Sequence, residues 1–183
     1  MINSNGWYTL ARSDISPNQD SRPDKENISL LVIHSISLPP NQFDSKYICD
    51  FFTNKLNTDV DPYFKTISNL KVSAHLLIGR EGDLTQFVSF NDRAWHAGKS
   101  LFQGLCNCND FSIGIELIGS DYVPFTDKQY EILINVTQEI MKRFPMINKK
   151  RIIGHSEIAP DRKTDPGPNF EWERYILNLN DMN

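Results

Sequence analysis

Apolar positions fall along this chain in distinct patterns, and each pattern predicts an element. Residues 28–36 (ISLLVIHSI) and 112–118 (SIGIELI) are near-continuous apolar runs of strand length. Such runs are expected of strands buried on both faces of a sheet. Pro39-Pro40 ends the first, because proline cannot donate to a strand ladder. Residues 72–78 and 84–88 are shorter apolar runs joined through Glu81-Gly82-Asp83, which is hairpin chemistry. Residues 151–153 predict one more short strand. Helical spacing runs from Tyr130 through Leu133, Ile134, Thr137, Ile140 and Met141 to Phe144. Thr126-Asp127-Lys128-Gln129 places a capping box at its start, and Pro145 stops it. Shorter helices are expected over residues 46–56, 62–70 and 169–177, and residues 95–102 read as loop.

Strands and helices interleave, so the expected fold is mixed α/β, with a central mixed sheet flanked by helices. One domain is expected over residues 1–183, given roughly 100–200 residues per domain. A chain of this length buries about 70% of its unfolded surface, enough for a core without disulfide or metal staples. Residues 1–27 are polar and read as an arm laid over that domain.

Composition and charge narrow the function classes. Hydrophobic content of 39%, with 11% aromatic and 23% charged, excludes disorder, collagen and coiled coil. A net charge of -4 and a pI near 5.5 leave no electrostatic footprint for non-specific nucleic-acid binding. No run approaches the ~20 apolar residues of a membrane span, and residues 1–23 lack the apolar core of a signal peptide. A cytoplasmic monomer with no nucleic-acid or membrane partner is therefore expected. Three cysteines are an odd number and argue against a disulfide framework; Cys106 and Cys108 lack the second pair of a zinc ribbon and are expected as free thiols.

Candidate chemistry lies where polar residues occupy costly places. His34 stands at the end of a strand that is otherwise apolar. A core imidazole with its hydrogen bonds satisfied is the ordinary alternative. Glu116 interrupts SIGIELIG, with apolar residues read on both faces of its strand. An unpaired buried carboxylate costs several kcal/mol unless it has a partner or takes up a proton. It is a candidate acid or base, or one half of a structural ion pair. The third cluster runs from Gly154-His155 to Asp165-Pro166-Gly167-Pro168, a charged loop braced by proline and glycine after a strand. His34, His155 and Asp165 make two imidazoles and one carboxylate. That is the three-ligand set of catalytic zinc, which leaves a fourth position open. Glu116 is placed to accept a proton, and Lys163 to hold a developing oxyanion. Two histidines and a carboxylate also suit mononuclear iron, but those sites commonly use H-x-D, and here Ser35-Ile36 follows His34. A structural zinc site normally fills all four positions with Cys or His.

At these residues the sequence resembles the AmpD-type anhydro-N-acetylmuramyl-L-alanine amidases. The matching segments are Ser21-Arg22-Pro23-Asp24, the run from Leu31 through His34 to Pro40, Val72-Ser73-Ala74-His75, Arg93-Ala94-Trp95-His96-Ala97-Gly98, the run from Cys108 through Glu116 to Leu117, and residues 154–168. The resemblance implies an amidase fold shared with peptidoglycan recognition proteins and phage lysozymes, with a zinc ion (Zn2+) in a groove. It implies zinc on His34, His155 and Asp165, Glu116 as proton acceptor and Lys163 as transition-state stabiliser. The implied reaction cleaves the amide between the lactyl group of (anhydro)-N-acetylmuramic acid and L-alanine of the stem peptide, in recycling of cell-wall muropeptides. The implied partner is an anhydromuropeptide substrate. Some relatives bind wall fragments without cutting them, typically after losing a zinc ligand; here all three ligand positions are filled.

Three positions depart from the family pattern. Ser35 stands where relatives have Asn, and Lys71 and Asn107 stand where they have arginines that bind peptide carboxylates. Lys71 keeps the charge without the bidentate fork. The chemistry is expected to be retained and the peptide grip altered. Trp95 is read as groove wall or core. His75 and His96 have no derived role, and support behind the groove is one reading of them.

Overall fold

The two apolar runs lie side by side at the centre of the main sheet. They are seen in a computed structural model that describes residues 1–180; the last three residues of the expected domain, 181–183, lie outside the described residues. In chain order the strands are β1 (Arg12–Ser13), β2 (Gln19–Asp20), β3 (Leu30–Ile36), β4 (Leu76–Ile78), β5 (Leu84–Gln86), β6 (Arg93–Ala94), β7 (Leu101–Phe102), β8 (Leu105–Cys106), β9 (Ser112–Ile118) and β10 (Ile152–Gly154). The helices are α1 (Ser45–Phe52), α2 (Pro62–Ile67), α3 (Asp127–Arg143), α4 (His155–Ile158) and α5 (Trp172–Leu177). Six strands make one sheet in the order β1-β5-β4-β9-β3-β10. Strands β4, β9, β3 and β10 are mutually parallel, and β5 is antiparallel to β4. The fold is thus mixed α/β with a mixed central sheet, as expected.

Side-chain alternation decides which face each strand residue serves. Leu31 and Ile33 of β3 and Ile113, Ile115 and Leu117 of β9 enter the core under α3, against Tyr130, Leu133, Val136 and Ile140. The even-numbered residues point the other way. Leu30 and Val32 join a smaller cluster with Ala97, Phe111 and Ile158. The same face of β9 carries Ser112, Gly114 and Glu116. This corrects the reading that both faces of β9 are apolar: one face is isoleucine and leucine, the other is small and polar as far as Glu116 and ends in Ile118. Glu116 is on the second face by parity, in register with His34 of β3.

Helix α3 starts as its sequence predicts. Thr126 Oγ1 accepts from the Gln129 amide at 3.1 Å, and Gln129 Oε1 accepts from the Thr126 amide at 3.0 Å. Gln129 Nε2 also donates to the Ile118 carbonyl at 2.9 Å, so the cap pins the helix to the end of β9. Helices α1 and α2 pack Ile48, Phe52, Phe64 and Ile67 against Leu77, Phe87 and Ile118 in a separate cluster.

Three features differ from the sequence reading. The N-terminal arm adds β1 to the sheet edge, parallel to β5, and buries Ser16, Asn18 and Arg22. The expected strand over residues 72–78 is regular only from Leu76, because the Ser73 amide bonds to the Trp95 carbonyl and the His75 amide to the Gly114 carbonyl. The expected loop over residues 95–102 ends in a hairpin, β7 pairing with β8. Gln103 and Gly104 both take positive φ (49° and 84°), the turn that matches the natural twist of a two-residue hairpin.

Candidate active site

In an open α/β sheet, ligands are held beyond the carboxyl ends of parallel strands. His34 lies near the carboxyl end of β3, Glu116 opposite it on β9, and His155 immediately after β10. Asp165 is brought to them by its loop. The Ser156 amide donates to the Asp165 carbonyl at 2.9 Å, and the Lys163 amide donates back to the Ala159 carbonyl at 3.0 Å. The chain thus folds over α4 and returns Asp165 beside His155.

The donor atoms converge. His34 Nδ1 is 3.0 Å from His155 Nδ1 and 3.0 Å from Asp165 Oδ2, and His155 Nδ1 is 3.1 Å from the same oxygen. His155 Nε2 donates to the Ala97 carbonyl at 3.1 Å, so in the neutral ring Nδ1 is an unprotonated lone pair. Two such nitrogens and a carboxylate oxygen at these distances repel one another unless a cation or a proton lies between them. Ligand atoms on a tetrahedron of ~2.0–2.1 Å radius are about 3.3–3.4 Å apart, close to the separations observed. His34, His155 and Asp165 are therefore a group able to hold a metal ion. Burial holds the His34 imidazole down at about 4, although the Asp165 carboxylate beside it, an acceptor for a protonated ring, opposes the shift. Burial also opposes ionisation of Asp165, but the His155 and His34 rings against it outweigh burial and hold the carboxyl below its usual range.

Glu116 is 9% exposed, and its Oε2 has no hydrogen-bond partner. Burial pushes its carboxyl well above the usual glutamate value, the Asp165 charge adds to this, and Lys163 opposes it. Lys163 also acts electrostatically on His34. Glu116, His155, Lys163 and Asp165 line one groove of about 490 Å3, and His34 is buried beside Asp165. Phe51, Phe52, Tyr63 and Ile67 from α1 and α2 form an apolar wall, and Ser35, Ser120, Asp121 and Arg162 add polar groups.

The other residues singled out in the sequence lie elsewhere. Lys71 is exposed and Asn107 is exposed, and neither is in the groove lining; Ser35 is. Asn107 holds a positive φ of 58°, a conformation in which Asn is several-fold enriched. Trp95 is half-buried outside the lining, and its backbone amide donates to Ser73 Oγ at 3.0 Å. Of two supporting residues, Arg22 carried no role in the sequence reading, and His96 carried only the open reading of support behind the groove. His96, buried, has Nδ1 2.9 Å from His34 Nε2. Arg22, 3% exposed, donates to the carbonyls of Asn109, Asp110, Phe90 and Ser112. Burial pulls its guanidinium down to about 10. Arg22 and His96 both fall in motifs that carried the family resemblance, and that was the one sequence signal for them.

The sequence profile of N-acetylmuramoyl-L-alanine amidases matches residues 24–168. The 1,6-anhydro-N-acetylmuramyl-L-alanine amidase AmpD of Haemophilus influenzae is 57% identical over 174 residues, 95% of each chain. A crystal structure of a selenomethionyl AmpD derivative superposes with a TM-score of 0.95 at 49% identity, covering 98% of this chain and 100% of its own. The amidase AmiD of Escherichia coli, in complex with the substrate anhydro-N-acetylmuramic acid-L-Ala-D-γ-Glu-L-Lys, superposes at 0.60 with 28% identity, covering 94% of this chain and 60% of that one. Parallel-strand ends, converging donors and full-length similarity agree, and the chain belongs to the N-acetylmuramoyl-L-alanine amidase family.

Proposed function

We propose that this enzyme hydrolyses the amide between the lactyl group of 1,6-anhydro-N-acetylmuramic acid and L-alanine of a stem peptide, in recycling of cell-wall muropeptides. The observation that carries the reading is the convergence of three metal-ligand atoms at a groove that also holds a buried carboxylate with a partnerless oxygen. AmpD relatives of 50–57% identity bear that substrate in their names.

His34, His155 and Asp165 are the residues that would hold zinc. When bound, zinc supplies Lewis acidity, polarising a carbonyl and acidifying water. Glu116 takes the proton of the attacking water on Oε2, the atom no protein group occupies. Its raised proton affinity suits this step, because the same carboxyl then delivers the proton to the departing alanine nitrogen. Lys163 places its ammonium toward the oxygen that gains charge as the carbonyl is attacked. The apolar wall of Phe51, Phe52 and Tyr63 covers the sugar and excludes water from the open side. Lys71 meets the peptide from outside the groove lining, as a point charge to a carboxylate. A module that binds wall fragments without cutting them has no use for a buried carboxyl of this kind.

The same reading places the enzyme in the cytoplasm as a monomer. Cys49, Cys106 and Cys108 are free thiols, as suits a reducing compartment, and no helix among the described residues is long and apolar enough to cross a membrane. The test is direct. The purified protein should hold one zinc ion and release tripeptide from anhydromuramyl-tripeptide, and chelation should stop the release. Zinc retained without turnover refutes the catalytic reading.

A further inference from the structure

Residues 96 and 97 lie behind both imidazoles of the ligand cluster. His155 Nε2 donates to the Ala97 carbonyl at 3.1 Å, and His34 Nε2 is 2.9 Å from His96 Nδ1. For His34 to offer the Nδ1 lone pair, its proton must be on Nε2. His96 Nδ1 then accepts, so the proton of His96 is on Nε2, 3.1 Å from Ser112 Oγ. One bond direction therefore runs from His34 through His96 to Ser112. Two consecutive residues, one through its ring and one through its backbone, act on both imidazoles.

This pair is itself anchored. The amides of His96 and Ala97 donate to a single atom, Asn109 Oδ1, at 3.1 and 2.7 Å. Asn109 in turn receives Arg22 Nη1 on its carbonyl at 3.1 Å. The space for the His96 ring is made by a missing side chain: a Cβ on Gly114 would lie 2.4 Å from the ring carbon Cγ. The ring stacks over a strand residue that has to be glycine for it to fit.

We propose that His96 is a positioning residue for the metal centre: it fixes the tautomer and the orientation of His34 through the Nε2–H···Nδ1 bond, in a space made by Gly114. This rests on the reading of His34, His155 and Asp165 as metal ligands. A metal-ligating imidazole whose other ring nitrogen loses its partner typically loses about 10–100-fold in metal affinity. His96→Leu removes the acceptor. His96→Asn puts an oxygen on the branch that carries Nδ1. Gly114→Ala leaves every bonding group in place and drives a methyl group into the ring.

The test measures zinc affinity by competition with a chromophoric chelator, on wild-type protein and the three variants, each with its metal-stripped circular dichroism and melting temperature. His96→Leu and Gly114→Ala should bind zinc about 10–100-fold more weakly with the metal-stripped fold unchanged, and His96→Asn should regain most of the loss. Cobalt absorption should shift in the first two and recover in the third. Unchanged zinc affinity in folded His96→Leu overturns the inference while leaving the site reading intact. Wild-type protein that binds no zinc overturns the site reading, and this inference with it. Should the leucine variant not fold, nitrogen-15 spectra of the wild-type histidines decide. Protonated Nε2 and bare Nδ1 on both His34 and His96 support the inference, and protonated Nδ1 on His96 overturns it.

Discussion

Glu116 offers a perturbation that separates activity from stability. Glu116→Gln keeps the shape and removes the ability to hold and pass a proton. General acid–base catalysis is worth typically ~10²–10⁴-fold, so kcat should fall by that factor while zinc content stays the same. Stability should move the other way. The wild-type carboxyl is buried, its Oε2 is unpaired, and its folded pKa is above the unfolded value. A carboxyl raised in this way contributes stability below the unfolded pKa and loses it as pH rises through the folded one. Glutamine does not titrate, so the gap between variant and wild type opens as pH rises from the unfolded value of 4.5. A buried group without its partner costs about 1–3 kcal/mol, more when charged. In a chain of this size each kcal/mol moves the melting temperature by about 2–4 °C. Metal-stripped Glu116→Gln should thus melt several degrees above wild type at pH 8, and at the same temperature at pH 4. The assay is a pair of thermal melts across pH beside one kinetic measurement. A stability difference that is flat with pH, or a variant that keeps wild-type kcat, refutes the reasoning.

Lys163→Met should lower kcat by about 10²–10³-fold, the usual loss for one oxyanion donor, with zinc content unchanged. Because Lys163 opposes the rise at Glu116, the acid limb of the pH–rate profile should also move up in any residual activity; an unmoved limb argues against their proximity. Metal-stripped Glu116→Gln should lose stability as pH falls from 6.5 toward 4, because His34 is held neutral in the fold down to about 4. That drop is worth roughly 3 kcal/mol at 1.36 kcal/mol per pH unit, and buried His75 and His96 act in the same direction. Urea midpoints that stay level across that range refute it. Lys71→Ala should raise KM for the tripeptide substrate by less than about fivefold with kcat unchanged, since an exposed charge contributes about 0.2–1 kcal/mol. A fall in kcat places Lys71 closer to the chemistry than its exposure indicates.

The sheet's centre was legible because its signals are local. Strands β3 and β9 are written in their own apolar residues, and α3 in its cap, its spacing and Pro145. His34 and Glu116 were visible for the same reason: each interrupts a strand pattern. Their being neighbours was not visible, since register is a property of two strands about 80 positions apart in the chain. Strand β1 has two polar residues and no periodicity, and it exists through pairing with β5. Arg22 and His96 sit in segments without a regular pattern, so only the folded contacts give them work. The proline brace marks Asp165 in the sequence, but what delivers it is a backbone bond from Ser156.

The arm also bears on where this protein can be shortened. The family profile spans residues 24–168, yet the folding unit is larger at both ends. Before that span stand β1, which covers the free edge of β5, and Arg22, which joins four carbonyls from separate segments. After it stands Tyr175, fully buried and bonded to Thr137 of α3 at 2.6 Å. A gene trimmed to the profile would bare a sheet edge ready to pair with other chains and open the core beneath α3. Homology marks what relatives share in sequence. The physical boundary is set by which residues close the sheet and seal the core, and a shortened form of this protein is better drawn from the second.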